Sequence, residues 1–222
     1  MLKEFIQLIY PDFCSGCNQP LLFSERAVCS SCLIEVKCSF ASDSNTFFGR
    51  YSVNREIYAF KFFKNKLLQK MIYEMKYNGN KETAFVLGVE LGFLINNFCK
   101  SKNQDFDFIV PVPVSEIKKQ SRGYNQCEYI ANGISQVIKT PVLNNHLKRR
   151  NNLKSQVNKS RYKRWSNVEN QYFMTRNISE TNKILLVDDV VTTGATINSC
   201  IKALQVRNNL QISVAALAGN KE

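Results

Sequence analysis

The spacing of apolar residues changes period several times along the chain, and each change predicts an element. Thr46 to Val53 and Ile57 to Phe62 are rich in aromatic and β-branched residues and predict strands. Lys66 to Tyr77 carries its apolar residues at helical spacing and stops at Asn78-Gly79-Asn80, a turn-forming run. Glu82 to Lys100 follows as a helix with a broad apolar face. Phe106 to Val110 predicts a further strand, closed in extended form by Pro111-Val112-Pro113-Val114, because proline fixes φ and biases the residue before it. A helix is predicted from Asn125 to Lys139, a strand near Tyr172 and a helix over Ile197 to Leu204.

One stretch combines pattern with chemistry. Ile184 to Val187 is a short buried-strand signal that breaks into Asp188 and Asp189, followed by Thr192, Thr193, Gly194, Ala195 and Thr196 ahead of the last predicted helix. A small-residue loop at a helix N-terminus offers backbone N–H groups and hydroxyls where the helix dipole favours an anion, and Gly194 lets the backbone come close. Adjacent carboxylates disfavour each other unless a cation or a hydroxyl-rich group uses them. A sugar diol or a metal-bound diphosphate meets that need; the simpler reading is a buried strand whose aspartate or threonine caps the next helix.

Length and charge narrow the possibilities. The 222 residues accommodate one sizeable α/β domain and a small appendage, but not two full domains. Thirty Lys and Arg against eighteen Asp and Glu give a net charge of +12, which fits polyanionic partners such as nucleic acid or phosphorylated sugars. The first residues, Met1 to Phe5, include an acid and do not read as a signal peptide. The longest apolar region, Ala84 to Phe98, is broken by Glu90 and Asn96-Asn97 and is too short to cross a bilayer. A cytoplasmic protein without membrane insertion is therefore expected.

In a reducing compartment the eight cysteines point to metal binding or burial rather than disulfides. Cys14-x-x-Cys17 and Cys29-x-x-Cys32 are two knuckles separated by eleven residues, the spacing at which four thiolates complete a tetrahedral zinc site. With every position a cysteine, the site reads as closed and structural. A segment of ~40 residues with so small a core needs such a staple. This predicts a zinc ribbon over residues 1–40 and a main domain over residues 41–222. Cys38 has no partner at knuckle spacing, Cys99, Cys127 and Cys200 fall in helical patterns as small buried hydrophobes, and His146 is expected at the surface.

Two cationic stretches complete the candidates. Lys118 to Gln126 reads as a cationic turn leading into a helix, in which Arg122 can fork onto phosphate oxygens and Gly123 permits an unusual backbone angle. The turn after Pro111-Val112-Pro113-Val114 exposes N–H groups that could hold a diphosphate. Between Lys148 and Arg164 lie eight basic residues and no acid: Lys148, Arg149, Arg150, Lys154, Lys159, Arg161, Lys163 and Arg164. Polar residues fill much of the remainder, so a mobile loop or a weakly held helix is expected. With Tyr162 and Trp165 available for stacking, the same residues meet the requirements of a single-stranded nucleic acid site.

Ile184 to Thr196 resembles the signature of the type I phosphoribosyltransferases, which use 5-phosphoribosyl-1-diphosphate (PRPP). Taken in order, the two CxxC knuckles, Lys76-Tyr77-Asn78-Gly79, V-P-V-P followed by R-G-Y-N-Q at residues 122–126, and V-D-D-V-x-T-T-G-A-T at residues 187–196 resemble the ComF family of competence-associated, phosphoribosyltransferase-like proteins. The likeness covers nearly the whole chain and is most specific at Arg122 to Gln126 and Val187 to Thr196. Cys38 is surplus to that pattern, and Tyr124 stands where phenylalanine is common.

The resemblance implies a type I phosphoribosyltransferase-like parallel sheet flanked by helices, with the ligand at the carboxyl ends of the strands. It places Asp188 and Asp189 on the ribose 2′- and 3′-hydroxyls and Thr192 to Thr196 around the 5′-phosphate, with Val112, Pro113 and Lys76 also at PRPP. Asp188, Asp189 and Arg122 are the candidate catalytic residues, Mg²⁺ accompanies PRPP, and the basic segment forms a hood that closes over the diphosphate. A role in DNA uptake during natural transformation, with other competence proteins and single-stranded DNA as partners, is implied in the same way. Three roles remain open: a transferase, a DNA-handling protein using the fold as a platform, and a PRPP-sensing regulator. An amidophosphoribosyltransferase with its own glutaminase is disfavoured, because Met1-Leu2 supplies no N-terminal cysteine nucleophile.

Overall fold

In the computed structural model the described residues are 10–36, 40–42, 46–48, 51–61, 65–102, 105–150, 171–179, 182–205 and 210–219. The main sheet is built from β1 (Phe40–Ser42), β4 (Arg55–Lys61), β5 (Phe108–Pro111), β8 (Lys183–Val191) and β9 (Gln211–Gly219), in the order β1-β4-β9-β8-β5. β4, β9, β8 and β5 run parallel, with Ile184 opposite Ile212 and Phe108 opposite Ile184; β1 is antiparallel at one edge. Parallel strands require helical crossovers, and these cover both faces.

Alternation along β8 divides the core in two. Leu185 and Val187 pack with α2 (Lys66–Tyr77), α3 (Lys81–Lys102) and α5 (Gln126–Ile138), through Met71, Leu87 and Ile130 among others. Ile184 and Leu186 pack on the opposite side with Ile197, Cys200 and Ile201 of α6 (Ala195–Gln205). The ribbon, with its helix α1 (Ser30–Val36), contributes Cys14, Val28, Cys32 and Val36 to the first cluster, so it is packed on the main body. No helix among the described residues is long and apolar enough to cross a membrane.

The long helices start and stop where local chemistry directs. Asn65 caps α2 by accepting from the Leu68 N–H at 3.0 Å, and Asn78 ends it ahead of Gly79 at φ 69°. Asn125 caps α5 through the Cys127 N–H at 3.1 Å, and Lys139 closes it in the left-handed region. α3 and α5 approach so closely that a Cβ on Gly88 would run into the Ile130 backbone and one on Gly133 into the Phe85 carbonyl. Only glycine permits that crossing.

Four expectations need correction. The run Thr46 to Val53 is two strands, β2 (Thr46–Phe48) and β3 (Tyr51–Val53), paired antiparallel with Phe48 opposite Tyr51. The strand at Ile184 does not break at the acidic pair but carries Asp188 and Asp189 inside it, because β9 extends the pairing to Val191 opposite Gly219. Lys118 to Arg122 is helical rather than a turn: α4 (Glu116–Arg122) is capped by Ser115 and ends at Gly123 with φ 76°. The basic segment begins as a strand, β6 (Leu147–Arg149), paired with β7 (Tyr172–Met174). Its remaining cations, Lys154, Lys159, Arg161, Lys163 and Arg164, lie outside the described residues, as do Tyr162, Trp165 and Cys38.

Candidate functional site

The acidic pair lies at the carboxyl end of β8, and consecutive strand positions send the two side chains to opposite faces. Asp189 turns toward α2 and α5, where its Oδ2 receives the Lys76 Nζ at 3.0 Å and the Gln126 Nε2 at 2.7 Å. Gln126 in turn accepts from the Arg122 guanidinium at 2.9 Å, and that guanidinium lies 5.6 Å from the centre of the Tyr77 ring. Lys76, Arg122 and Asp189 thus form one network bridged by Gln126. Gln126 closes the R-G-Y-N-Q run and stands in the first turn of α5, and nothing in the sequence pairs it with Asp189.

Asp188 faces the other way. Its Oδ1 accepts the Asp189 N–H at 2.8 Å and lies 3.5 Å from the Cys127 thiol, which donates to it. Burial and then the neighbouring Asp189 carboxylate raise its pKa to about 7, against the partial relief of the Asp189 N–H, the Cys127 thiol and Lys76. Burial, followed by the Asp188 charge, also pushes the Cys127 and Cys200 thiols up. Both cysteines are fully buried as expected, but Cys127 is also a partner of the site. Arg149 acts on Cys200 and Tyr172, the same groups that Asp188 influences, and its guanidinium lies 5.7 Å from the Tyr172 ring centre. Arg149 therefore belongs to the Asp188 side and Arg122 to the Asp189 side. Arg150 stacks at 5.5 Å on Phe173.

Directly after β8, Thr192 and Thr193 are exposed, Gly194 is buried at φ 72°, and Ala195 and Thr196 already form the first turn of α6. The Thr193 hydroxyl accepts from the Ala195 N–H at 3.5 Å, and the Gly194 carbonyl receives the Asn198 N–H at 2.8 Å. A side chain at Gly194 would meet the Phe48 ring as well as backbone strain. The loop is thus a helix N-terminus with small exposed residues, the geometry that receives a phosphate.

The turn after β5 contributes less than expected. The Val112 N–H already donates to the Val187 carbonyl at 2.8 Å, and proline at 113 has no N–H, so neither presents an amide donor to a ligand. The Val112 carbonyl accepts from the Asn125 side chain at 3.1 Å, which ties this turn to the start of α5. Pro111, Pro113 and Val114 instead line a pocket of mixed charge, in which Lys119, Lys148 and Arg149 face Glu116 and Glu128. His146 is half-buried, its ring 3.3 Å from the Asn144 carbonyl.

At the ribbon, the sulfurs of Cys14, Cys17, Cys29 and Cys32 lie within 4.8 Å of one another. A tetrahedral ion with sulfur at about 2.3 Å needs sulfurs about 3.8 Å apart, so the four fit one such ion; Cys17 and Cys29 are already 3.8 Å apart. Burial pushes the Cys14 thiol up, but the N–H groups of Cys29, Cys17 and Gly16 outweigh it and bring the pKa to about 7. Burial followed by neighbouring thiols raises Cys32. One thiolate is thus favoured in advance, and a cation would supply the charge needed to ionise the rest.

A parallel α/β sheet with an acidic pair and a phosphate-sized loop at its carboxyl end defines a class. Residues 92–222 match the phosphoribosyl transferase domain family, and the chain belongs to it. Its relatives carry the ComF likeness. The chain is 34% identical to Competence protein F of Haemophilus influenzae over 112 residues, which is 50% of this chain and 49% of that protein. It is 27% identical to Competence protein ComFC of Bacillus subtilis over 203 residues, 91% of this chain and 75% of that protein. Competence protein ComFC of Streptococcus pneumoniae is 33% identical over 104 residues, 47% of this chain and 44% of that protein. The chain thus spans about half the length of the Haemophilus and Streptococcus proteins.

Proposed function

We propose that this chain binds PRPP, or another 5′-phosphorylated ribose, together with Mg²⁺, and serves natural transformation. The observation that carries this reading is the buried pair Asp188 and Asp189, with Asp189 held by Lys76 and Gln126, immediately before the exposed Thr192–Thr196 turn that opens α6. The turn takes the 5′-phosphate on N–H groups and hydroxyls, and the carboxylates take the ribose hydroxyls. Lys76 and Arg122 supply cationic charge on the Asp189 side, and Arg149 supplies it on the Asp188 side. Mg²⁺, when bound with PRPP, neutralises the diphosphate.

As a transferase, the protein would position the ribose so that a nucleophile forms the new bond to C1 as the bond to the diphosphate oxygen breaks and the diphosphate carries off the electron pair. Positioning and charge stabilisation suffice for such a step without a dedicated base. The four-cysteine cluster holds zinc in a structural role. A second reading, a single-stranded DNA platform without transfer, draws support from the net charge of +12 and from a basic segment that starts beside the site at Lys148 and Arg149.

Titration calorimetry tests the site. Wild-type protein should take up PRPP in the presence of Mg²⁺, and D188N/D189N should lose that heat while keeping its fold by circular dichroism. Equal affinity of the two proteins would remove the assignment.

A further inference from the structure

Beside the apolar packing of Cys14, Val28, Cys32 and Val36 and the exposed Arg26–Glu82 pair, the ribbon touches the site's supporting elements through two residues of the first knuckle that are not thiols. Ser15 and Gly16 are the two positions between Cys14 and Cys17. The Ser15 hydroxyl lies 2.6 Å from the Thr83 hydroxyl and receives the Asn80 side-chain N–H at 2.9 Å. Asn80 also caps α3 by accepting from the Thr83 N–H at 3.0 Å. Ser15 and Thr83 are both buried, at 6% and 0% exposure, so these bonds are shielded from water. Gly16 lies flat on α2: a Cβ there would be 2.7 Å from the Met71 side chain, 2.9 Å from Leu67 and 3.0 Å from the Cys32 sulfur.

These contacts converge on the segment that carries Lys76. Met71 lies on α2 five residues before Lys76, and Asn80 lies four residues after it. The Met75 carbonyl, adjacent to Lys76, receives the Tyr124 hydroxyl from the Arg122–Gln126 run. Lys76 then reaches Asp189 at 3.0 Å. The knuckle therefore grips both ends of the stretch from which the cation projects, while its own two thiols lie within 4.8 Å of those of Cys29 and Cys32, close enough for the four to share one ion.

We infer that Ser15 and Gly16 are positioning residues: a filled four-cysteine cluster fixes the Cys14–Cys17 knuckle, and the knuckle fixes the α2–α3 turn so that Lys76 is held on Asp189. Ion occupancy and ligand affinity are then coupled. Because coupling free energy is reciprocal, PRPP should tighten ion binding by the same factor as the ion tightens PRPP binding. This inference rests on the ribose-phosphate reading only for its ligand readout; the gripping of α2 stands apart from it.

The test uses the full chain. Calorimetric affinity for PRPP with Mg²⁺, zinc content and amide hydrogen exchange over residues 66–80 are compared in wild type, Ser15→Ala, Thr83→Val, Thr83→Ser and Gly16→Ala. Ser15→Ala and Thr83→Val keep all four ligands and should bind zinc normally, yet lose about five- to tenfold in PRPP affinity, within the usual range for coupled sites. Exchange at residues 76–80 should quicken in both. Thr83→Ser retains the hydroxyl and should match wild type, which separates the hydrogen bond from general packing. Gly16→Ala must push Met71 and Leu67 aside and should show the larger effect; if it fails to fold, the hydroxyl variants decide.

Zinc removal from wild type should quicken exchange over residues 66–80 as well as in the ribbon. Exchange confined to the ribbon, or hydroxyl variants indistinguishable from wild type, would overturn the inference. Should wild type take up no PRPP, the ribose-phosphate reading fails, and exchange after zinc removal still decides the coupling.

Discussion

Asp188 holds its proton in the folded protein up to about pH 7, whereas the unfolded chain releases it near 3.8. The stability this contributes is complete below the unfolded value and is lost as pH rises through the folded one. Asp188→Asn removes the titration, so the variant should gain stability over wild type between those two values, by at most about 4 kcal/mol at ~1.4 kcal/mol per unit. Melting temperatures of both proteins across that window would check it, and parallel curves would show that Asp188 is not the titrating group. Gln126 offers a second residue-level outcome. Gln126→Leu cuts Arg122 from Asp189 and leaves a buried carboxylate with one donor fewer, so PRPP affinity should fall by about tenfold, as for loss of a charge-assisted hydrogen bond. Calorimetry would read this directly. The sequence announced Asp188, Asp189, Lys76 and Arg122 because their motifs are local; it could not announce their bridge, since Gln126 meets Asp189 across sixty-three residues.

Elements were legible where their ends are written in side chains. α2 and α5 have bounds close to expectation because Asn65, Asn78-Gly79 and Asn125 act on their own neighbours. Limits set by another strand were not: β8 runs to Val191 because β9 pairs with it that far, and the strand-depleted aspartates at 188 and 189 separate Val190 and Val191 from the apolar run before them. The hairpin hidden in Thr46 to Val53 escaped for the same reason, as strand propensity says nothing of where a chain reverses. The α3–α5 crossing makes an element-scale prediction. Gly88→Ala would force the helices apart against the Ile130 backbone, and a cost of about 2 kcal/mol follows from overpacking a tight contact. Urea unfolding would measure it. An unchanged midpoint would mean that the crossing is looser than its geometry.

For the whole molecule, composition pointed to polyanions, and the structure shows which of the described cations are already matched by acids. Lys119, Lys148 and Arg149 line one pocket beyond β5 together with Glu116 and Glu128, the latter 3.9 Å from Lys119, and Lys76 pairs with Asp189. If single-stranded DNA is held by the basic segment, its affinity should drop steeply with salt, and neutralising Arg161, Lys163 and Arg164 together should flatten that slope by about two units of log affinity per log salt. Filter binding over a salt series distinguishes this from a salt-insensitive or absent association, which would leave only the ribose-phosphate reading. The order of strands in the sheet was beyond the sequence, because it depends on which crossovers pack rather than on any motif. That order has a consequence at the acidic pair. β8 is clamped on both sides, by β9 and by β5, and parity along it decides which carboxylate meets a lysine and which meets a thiol. A slip of one residue would not blur the site; it would send each acid to the opposite face and bring Val187 or Val190 into one of the two places. The placement of the two acids is therefore encoded partly in hydrogen bonds between strands, and single-residue insertions or deletions upstream in β8 would act as an on–off lesion where point substitutions act by degrees.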